Sequence, residues 1–327
     1  MRIRATTVLL TLFCTAIFSA GGQTHHRRSD HSSESRDDRT NCFDASDQNE
    51  IRLWEGRAPG AVGDDPCRDV PFLKVYSPGH EGRDTRTAII VIPGGGYDRL
   101  SDKKEQAPVG EYFSRQLHVT TFVLFYRLVQ ADGSYRYPVP MWDGQRALKL
   151  VRSRAEQFNI APDRIGLFGF SAGGHLASTL ALHSASNFDL PQHDAIDDAK
   201  GRPDFLGLGY PVISMLPDQF ASPNSLAHLL FGYHGHDLDH LEHYLSGQEH
   251  ITEHTSPVFL FESLDDQRIS SQNSVIFAES LRAANIPAEV HLFKHGVHGA
   301  GLAEDIPEEQ DWPEMFHHWL DWQGLLR

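Results

Sequence analysis

The segment "RIGLFGFSAGGHLAS", residues 164–178, places a serine between two glycines, where an apolar run gives way to a run of small residues. Gly169-Phe170-Ser171-Ala172-Gly173 fits the pattern G-x-S-x-G, in which the serine occupies a sharp turn from a strand to a helix. Glycines on both sides allow a tight turn, because a side chain at either place would collide with a neighbouring strand or helix. Ser171 is therefore a candidate nucleophile.

A serine hydroxyl becomes a good nucleophile when a histidine takes its proton and an acid orients that histidine. With a G-x-S-x-G turn, the order along the chain is Ser, then Asp or Glu, then His. Asp265 and Asp266 follow the apolar run 257–264, and the loop "KHGVHGAG" follows the run 288–293. We predict Asp266 as the acid because it stands two residues beyond Leu264. Asp265, otherwise a solvated or helix-capping residue, is the alternative.

Three histidines lie near the end of the last apolar run. His298 is the predicted base, because it follows that run in a loop and is flanked by Gly296 and Gly299. His291 lies within the run, and His295 is too close to its end for the loop to reach back.

The attack of a serine on a carbonyl produces an oxyanion, which needs hydrogen-bond donors already in place. "VIPGGGYD" puts three glycines, residues 94–96, directly after the apolar run 87–93. A loop in this position supplies one side of an oxyanion hole, and the amide of Ala172, after the nucleophile, supplies the other. Phosphate binding is disfavoured, because neither G-K-[ST] nor G-x-G-x-x-G follows.

Short apolar runs alternate with segments of helical period along the chain, which is typical of a mostly parallel sheet covered on both faces. The predicted buried strands are 87–93, 120–128, 164–171, 205–214, 257–264 and 288–293, with antiparallel edge strands in "IRLWEG" and "VPFLKVYSP". The predicted fold class is α/β, a doubly wound sheet without a large lid domain. Active groups in such sheets gather at the carboxyl ends of the strands.

Several longer segments carry a family resemblance. "PGGGY", "DGQRALKLVRSRAEQFNIAPDRIGLFGFSAGGHLAS", "YPVIS", "SPVFLFESLDDQRIS" and "GVHGAGLA" occur in this order. Over roughly residues 50–325 the chain resembles the α/β-hydrolase superfamily, and within it the secreted acetylxylan-esterase-like branch related to the hormone-sensitive-lipase esterases. The resemblance implies Ser171 as nucleophile, Asp266 as acid and His298 as base, with the oxyanion amides at Gly95, Gly96 and Ala172.

Two positions depart from the family pattern. Pro93 stands where the lipase-like relatives have the histidine of H-G-G-G, which fits the acetylesterase branch better. Glu262 stands where relatives often carry a histidine before the acid. The second departure puts the fine substrate preference in doubt and leaves the three catalytic candidates intact.

The N-terminal residues predict export. Residues 1–22 combine a basic start, an apolar run and small residues, as a secretory signal peptide does, with an N-terminal membrane anchor as the alternative. Residues 23–42 carry too few large apolar side chains to fold and are predicted to be a polar tether, before a catalytic domain at 43–327. The predicted location is secreted or periplasmic, where Cys42 and Cys67 form a bridge if they lie close, or remain free thiols.

Composition and charge narrow the classes of binding partner and substrate. The net charge of −15, without a Lys/Arg-rich block, disfavours nucleic acid. The segment "MLPDQFASPNSLAHLLFGYHGHDLDHLEHYLSGQEHITEHTS" is polar and histidine-rich rather than an apolar lid, which suits a short acyl group on a hydrated carrier. We expect a small ester or acetylated carbohydrate, such as acetylated xylan, as substrate. Aromatic residues near the site either stack on a sugar or belong to the core: Tyr97, Trp142, Phe170 and Tyr210.

Other functions are also compatible with this sequence. His236 and His240, within the histidine-rich segment 228–254, have the i, i+4 spacing of a metal site, but no Glu follows His236 as H-E-x-x-H requires, which favours a solvated surface helix. A general carboxylesterase, an aryl-formamidase or a peptidase uses the same machinery, and a domain of this fold without activity would serve for binding. The serine mechanism itself requires neither a metal nor an organic cofactor.

Overall fold

The computed structural model of the chain describes residues 41–79 and 85–327. The predicted signal peptide and almost all of the predicted tether lie outside the described residues. Among the helices of the described ranges, none combines the length and the apolar composition that crossing a membrane demands.

Within the described residues, one sheet of eight strands forms the centre of the fold, in the order β1-β2-β4-β3-β5-β6-β7-β8. The strands are β1 Glu50–Arg52, β2 Phe72–Tyr76, β3 Ala88–Ile92, β4 Thr120–Phe125, β5 Ile165–Phe170, β6 Leu206–Gly209, β7 Val258–Ser263 and β8 Ala288–Phe293. β1 pairs with β2 and β2 with β4 in antiparallel fashion, and the remaining pairs are parallel. The predicted mostly parallel sheet with antiparallel edge strands is confirmed.

Helices fill most of the connections between the strands. The α-helices are α1 Asp102–Glu105, α2 Ala107–Gln116, α3 Val139–Ser153, α4 Ser171–Leu182, α5 Pro223–Leu229, α6 Gly235–Tyr244, α7 Gln272–Ala283 and α8 Trp312–Trp322. In the part of the chain that the structure describes, short 3-10 helices cover Ala195–Asp198 and Gly247–Glu249.

Strand β5 shows why the sheet is covered on both faces. On one face Phe168 stacks on Trp312 of α8, and Phe170 packs edge-on against the same ring. Gly169 points to the other face, where a Cβ would lie 2.8 Å from the Cβ of Ala177 in α4. Successive side chains of a strand point to opposite faces, so an uninterrupted apolar run requires helices on both sides. The predicted doubly wound architecture is confirmed.

β4 ends at Phe125 rather than at residue 128, and two other predicted strands differ further from the observed ones. β6 ends at Gly209 instead of continuing to residue 214, because Tyr210 adopts a φ of 36° and Pro211 follows, which takes the chain out of the sheet. β8 has the predicted bounds but is only partly buried, with Leu292 42% exposed. Its exposure follows from its place at the end of the sheet, where only β7 pairs with it.

Cys42 and Cys67 form a disulfide, with Cα atoms 3.8 Å apart. Beside the bridge, the amide of Phe43 donates to the carbonyl of Pro66 at 2.9 Å. Asn41 accepts a hydrogen bond from the side chain of Gln106 at 3.1 Å. The bridge therefore holds the start of the described chain against the body of the domain.

Candidate active site

The turn between β5 and α4 carries Ser171 at the carboxyl end of the sheet. β5 ends at Phe170 and α4 begins at Ser171, whose φ of 52° lies in the left-handed region. A Cβ on Gly173 would lie 2.1 Å from the carbonyl oxygen of Ile92, and one on Gly169 would lie 2.3 Å from that of Gly173. The two glycines of the motif thus allow α4 to approach β3 and β5 directly.

The structure brings Ser171, His298 and Asp266 together. The Oγ of Ser171 lies 2.8 Å from Nε2 of His298, and Nδ1 of His298 lies 2.6 Å from Oδ2 of Asp266. The side chains of His298 and Asp266 are 12% and 1% exposed. The other oxygen of Asp266 accepts the amides of Arg268 at 2.7 Å and Ile269 at 3.0 Å, which fixes the carboxylate. In this order the imidazole can take the proton of the hydroxyl, while the carboxylate orients the ring and stabilises its positive charge.

The alternative residues make other contacts. Asp265 accepts a hydrogen bond from Nδ1 of His295 at 2.9 Å and another from the amide of Gly296 at 2.9 Å. The hydrogen bond from His295 holds the pKa of the Asp265 carboxyl below its ordinary value. His291 contacts Glu289 at 2.8 Å within β8. Asp265 therefore contacts the loop that carries His298, a role that the sequence did not predict.

The glycine loop after β3 forms one wall beside Ser171. The amide of Gly94 donates to Oε2 of Glu105 at 2.7 Å, so this donor is already used. Gly95 and Gly96 line the same cavity as Ser171. Gly95 has a φ of 124°, a conformation that a residue with a Cβ rarely adopts. Ala172 lies in the first turn of α4, where backbone amides lack partners within the helix.

Two histidines hold the glycine loop in place. Nε2 of His175 lies 2.8 Å from the carbonyl oxygen of Leu245, and Nδ1 lies 2.7 Å from the hydroxyl of Tyr97. Because a carbonyl only accepts, Nε2 carries the proton and Nδ1 accepts from Tyr97. Burial lowers the pKa of His175 to about 4, so the ring is neutral. His228 likewise donates from Nδ1 to the carbonyl of Gly96 at 3.0 Å.

A cavity of about 660 Å³ lies over Ser171 and His298. Its walls are largely polar and include Ser222, Asn224 and Ser225, with Arg99 and Arg268 also lining it. The first three come from the polar segment 215–256, which therefore forms one side of the site.

The suggestion that aromatic residues stack on a sugar here is wrong. Tyr97, Phe170 and Tyr210 are at most 1% exposed, and the indole of Trp142 donates to the carbonyl of Phe188. These four side chains do not line the cavity over Ser171. Phe170 is the last residue of β5 and Trp142 lies in α3, and both pack into the core. Tyr97 and Tyr210 lie in loops after β3 and β6 that turn their side chains inward, a direction that the sequence pattern does not show.

The two histidines with the spacing of a metal site belong to a helix of the histidine-rich segment 228–254. His236 and His240 lie on α6 and are exposed. In residues 41–79 and 85–327, no group of three or more His, Cys, Asp or Glu side chains is arranged to hold a metal ion. The ring of His240 stacks on Tyr244 one turn later, as in a solvated surface helix.

Comparison with known proteins identifies the family. Residues 73–281 match the family model BD-FAE. The chain belongs to the BD-FAE family. It is an acetylxylan-esterase-like α/β-hydrolase. The fold and the resemblance predicted from the sequence are confirmed.

Individual relatives agree with this assignment. The chain is 30% identical over 236 residues to endo-1,4-beta-xylanase B of Butyrivibrio fibrisolvens, covering 72% of the chain and 35% of the xylanase. It is 30% identical over 235 residues to the acetylxylan esterase of Xylanibacter ruminicola, covering 71% of the chain and 45% of that esterase. The chain thus spans less than half the length of either relative.

One solved structure matches this chain over nearly all of the solved chain's length. The acetyl ester-xyloside bifunctional hydrolase of Caldicellulosiruptor lactoaceticus is 35% identical, with a TM-score of 0.74. The match covers 84% of this chain and 96% of that one.

Three buried carboxyl groups near the site were not recognised as functional from the sequence. Glu105 binds the glycine loop, Glu262 lies within the buried strand β7, and Glu309 accepts the amide of Val297 at 3.3 Å, next to His298. Burial, and then the charge of Asp266, raise the pKa of Glu262 to about 8. Burial also raises the pKa of Glu309 to about 7. The only sequence signal was an acid inside an otherwise apolar or helical segment.

The conformation of Ser171 predicts a difference between two inactive variants. Ser171→Gly and Ser171→Ala both remove the hydroxyl, but only glycine adopts the left-handed φ without a Cβ clash. We expect Ser171→Gly to be the more stable variant, with a free energy of unfolding about 1 kcal/mol higher than that of Ser171→Ala. Urea denaturation of both variants measures this. Equal stability of the two would show that the turn is not strained.

The buried Glu262 predicts a pH-dependent stability. Between the ordinary pKa of a glutamate and the value of about 8, the folded chain keeps a proton that the unfolded chain releases. The free energy of unfolding therefore falls as pH rises through this window. The glutamine of Glu262→Gln does not titrate. Between pH 5.5 and 7.5 the free energy of unfolding of this variant should therefore fall by about 2 kcal/mol less than that of wild type. Parallel losses in urea denaturation would contradict this.

Proposed function

We propose that this chain is a secreted serine esterase that hydrolyses short-chain esters, above all acetyl esters, on carbohydrate such as acetylated xylan. The observation that carries the proposal is the pair of hydrogen bonds from Ser171 to His298 and from His298 to Asp266. The family and the relatives support an ester as the substrate of this serine.

The proposed reaction is acyl transfer in two steps. Ser171 Oγ attacks the ester carbonyl while its proton passes to Nε2 of His298, and Asp266 stabilises the resulting imidazolium. The amides of Gly95, Gly96 and Ala172 receive the oxyanion. His298 then protonates the departing alcohol, leaving an acyl group on Ser171. In the second step water gives a proton to His298 and attacks the acyl group, and His298 returns the proton to Ser171 Oγ as the bond to the acyl group breaks and the acid leaves. No metal or organic cofactor takes part.

The cavity supports a small acyl group on a polar carrier. Among its lining side chains, only Leu100 and Ile269 are large and apolar. A long acyl chain would need more apolar surface to leave water, at roughly 0.8 kcal/mol per buried methylene. The hydroxyls of Ser222 and Ser225 and the amide of Asn224 suit the hydroxyl groups of a sugar. The relatives named for acetylxylan and for acetyl ester-xyloside hydrolysis point to the same class of substrate.

Export is part of the proposal. Residues 1–22 have the composition of a secretory signal peptide. The disulfide between Cys42 and Cys67 supports an oxidising compartment, where such bridges persist. We place the mature enzyme in the periplasm or outside the cell.

The two neighbouring aspartates allow a matched test of the triad. Asp266→Asn should lower kcat by about 10⁴, because the carboxylate that orients and stabilises His298 is lost. Asp265→Asn should cost less than tenfold, because Asp265 contacts His295 and Gly296 instead. Ser171→Ala should lower kcat by about 10⁴ to 10⁶. Hydrolysis of p-nitrophenyl acetate by the purified variants measures all three, with circular dichroism as the check on folding. Equal losses for the two aspartates would mean that the acid is misassigned.

Substrate class is tested by a chain-length series. Wild type and Ser171→Ala are assayed on p-nitrophenyl esters from acetate to octanoate and on acetylated xylan, with released acetate measured. We expect acetate to be the preferred acyl group and xylan to be deacetylated only by the wild type. A preference for octanoate, or no release from xylan, would instead assign a general carboxylesterase.

A further inference from the structure

Glu105 of α1 connects the two loops that flank Ser171. Its carboxylate is 1% exposed. Oε2 accepts the amide of Gly94 at 2.7 Å, and Oε1 accepts the hydroxyl of Tyr210 at 2.9 Å. The oxygen of Tyr210 in turn accepts the amide of Gly301 at 3.0 Å. One buried carboxylate therefore links the glycine loop after β3 to the loop that carries His298.

The connection continues on the side of the histidine. The carbonyl of Gly301 accepts the indole of Trp312 in α8 at 3.0 Å, so this loop is anchored to a core helix. The ring of Tyr210 packs edge-on against the ring of His298, with 5.0 Å between their centroids. Tyr210 thus touches the proposed base and holds the backbone three residues beyond it.

A buried acid at this place has a cost. Burial raises the pKa of the Glu105 carboxyl, although its hydrogen bonds from Gly94 and Tyr210 work in the opposite direction. A well-packed apolar side chain would avoid the loss of hydration. It would leave the amide of Gly94 without its acceptor, and a buried N–H without a partner costs about 1–3 kcal/mol. Rotation of the Gly94 peptide would then be favoured, because it would let this N–H find another acceptor.

We propose that Glu105 is a positioning residue of the esterase, which orients the Gly94 peptide so that Gly95 and Gly96 present their amides to the oxyanion. Through Tyr210 it also keeps the His298 loop in register with that hole. The inference rests on the proposed function, because it concerns the same reaction. Glu105 acts through the backbone of the glycine loop and not on the substrate.

The role predicts a particular kinetic signature. Oxyanion contacts are strongest in the transition state, so their misalignment lowers kcat and leaves KM almost unchanged. Removing one oxyanion donor costs about 10²–10³ in kcat, and a displaced donor costs less. We expect Glu105→Ala to lower kcat on p-nitrophenyl acetate by about 10- to 100-fold, with KM within about threefold. Glu105→Gln keeps an oxygen that accepts the Gly94 amide and should restore kcat to within about fivefold of wild type.

Two further variants complete the experiment. Tyr210→Phe removes the hydroxyl that joins Glu105 to Gly301, and it should lower kcat by about five- to tenfold without replacing the carboxylate. Asp204→Ala is the matched control, because this largely buried carboxylate binds Arg152 and the amide of Ile165 at the opposite end of β5. It should lose stability while kcat per active site stays at the wild-type value. Active sites are counted by titration with a p-nitrophenyl phosphonate, so that poorly folded protein does not enter kcat.

Each outcome decides the matter. A loss of kcat in Glu105→Ala that Glu105→Gln largely restores supports the inference. If Glu105→Ala does not fold, lowered kcat with unchanged KM in Tyr210→Phe supports it, and wild-type kcat there overturns it. Wild-type kcat in Glu105→Ala, or a change in KM alone, also overturns it. If Ser171→Ala retains wild-type activity, the proposed function fails and takes this inference with it. If Ser171→Ala is inactive while Glu105→Ala is normal, only the role of Glu105 is wrong.

Discussion

The close packing of α4 on the ends of β3 and β5 determines where Ser171 and the glycine loop lie, and the rest of the site is arranged around them. At Gly173 no side chain separates the helix from the carbonyl of Ile92. The first turn of α4 therefore lies directly beside the loop that leaves β3. Ser171, the free amides of the helix start and Gly95 and Gly96 come together because of this one contact. The positive φ of Ser171 is the local consequence, since the chain must reverse from strand to helix within one residue.

The order of the strands then brings the remaining groups to the same edge. β5, β6 and β7 are adjacent and parallel, so the loops after them open side by side. Asp266 follows β7 and His298 follows β8, one strand further along. This part was predictable from the sequence, because apolar runs mark the strands and the polar residues directly after them must lie at their carboxyl ends. The exposure of β8 was not predictable, because an apolar run does not show whether a strand has one neighbour or two.

Residues that support the site are harder to predict from the sequence than residues that form it. Ser171 and His298 stand in glycine-rich motifs with a recognisable spacing, whereas Glu105 stands in "SDKKEQAP", which reads as a solvated turn of helix. Its burial depends on Gly94 and Tyr210, which are distant in sequence. His175 is similar, because its partners Tyr97 and Leu245 come from two other loops. A single sequence records periodicity and local motifs but not which loops meet.

The distribution of charge around His298 follows from the same packing. Asp266, Glu105 and Glu309 all lie close to this ring, and Glu262 lies behind Asp266. In the proposed mechanism the ring must both take a proton and give it up again. Four ionised carboxylates would hold the proton on the ring and oppose its transfer to the leaving alcohol. Burial favours the neutral forms of Glu262 and Glu309 by raising the pKa of each. The burial of Glu262 and Glu309 thus reduces the negative charge around His298, beside the Asp266 carboxylate that the proposed reaction uses.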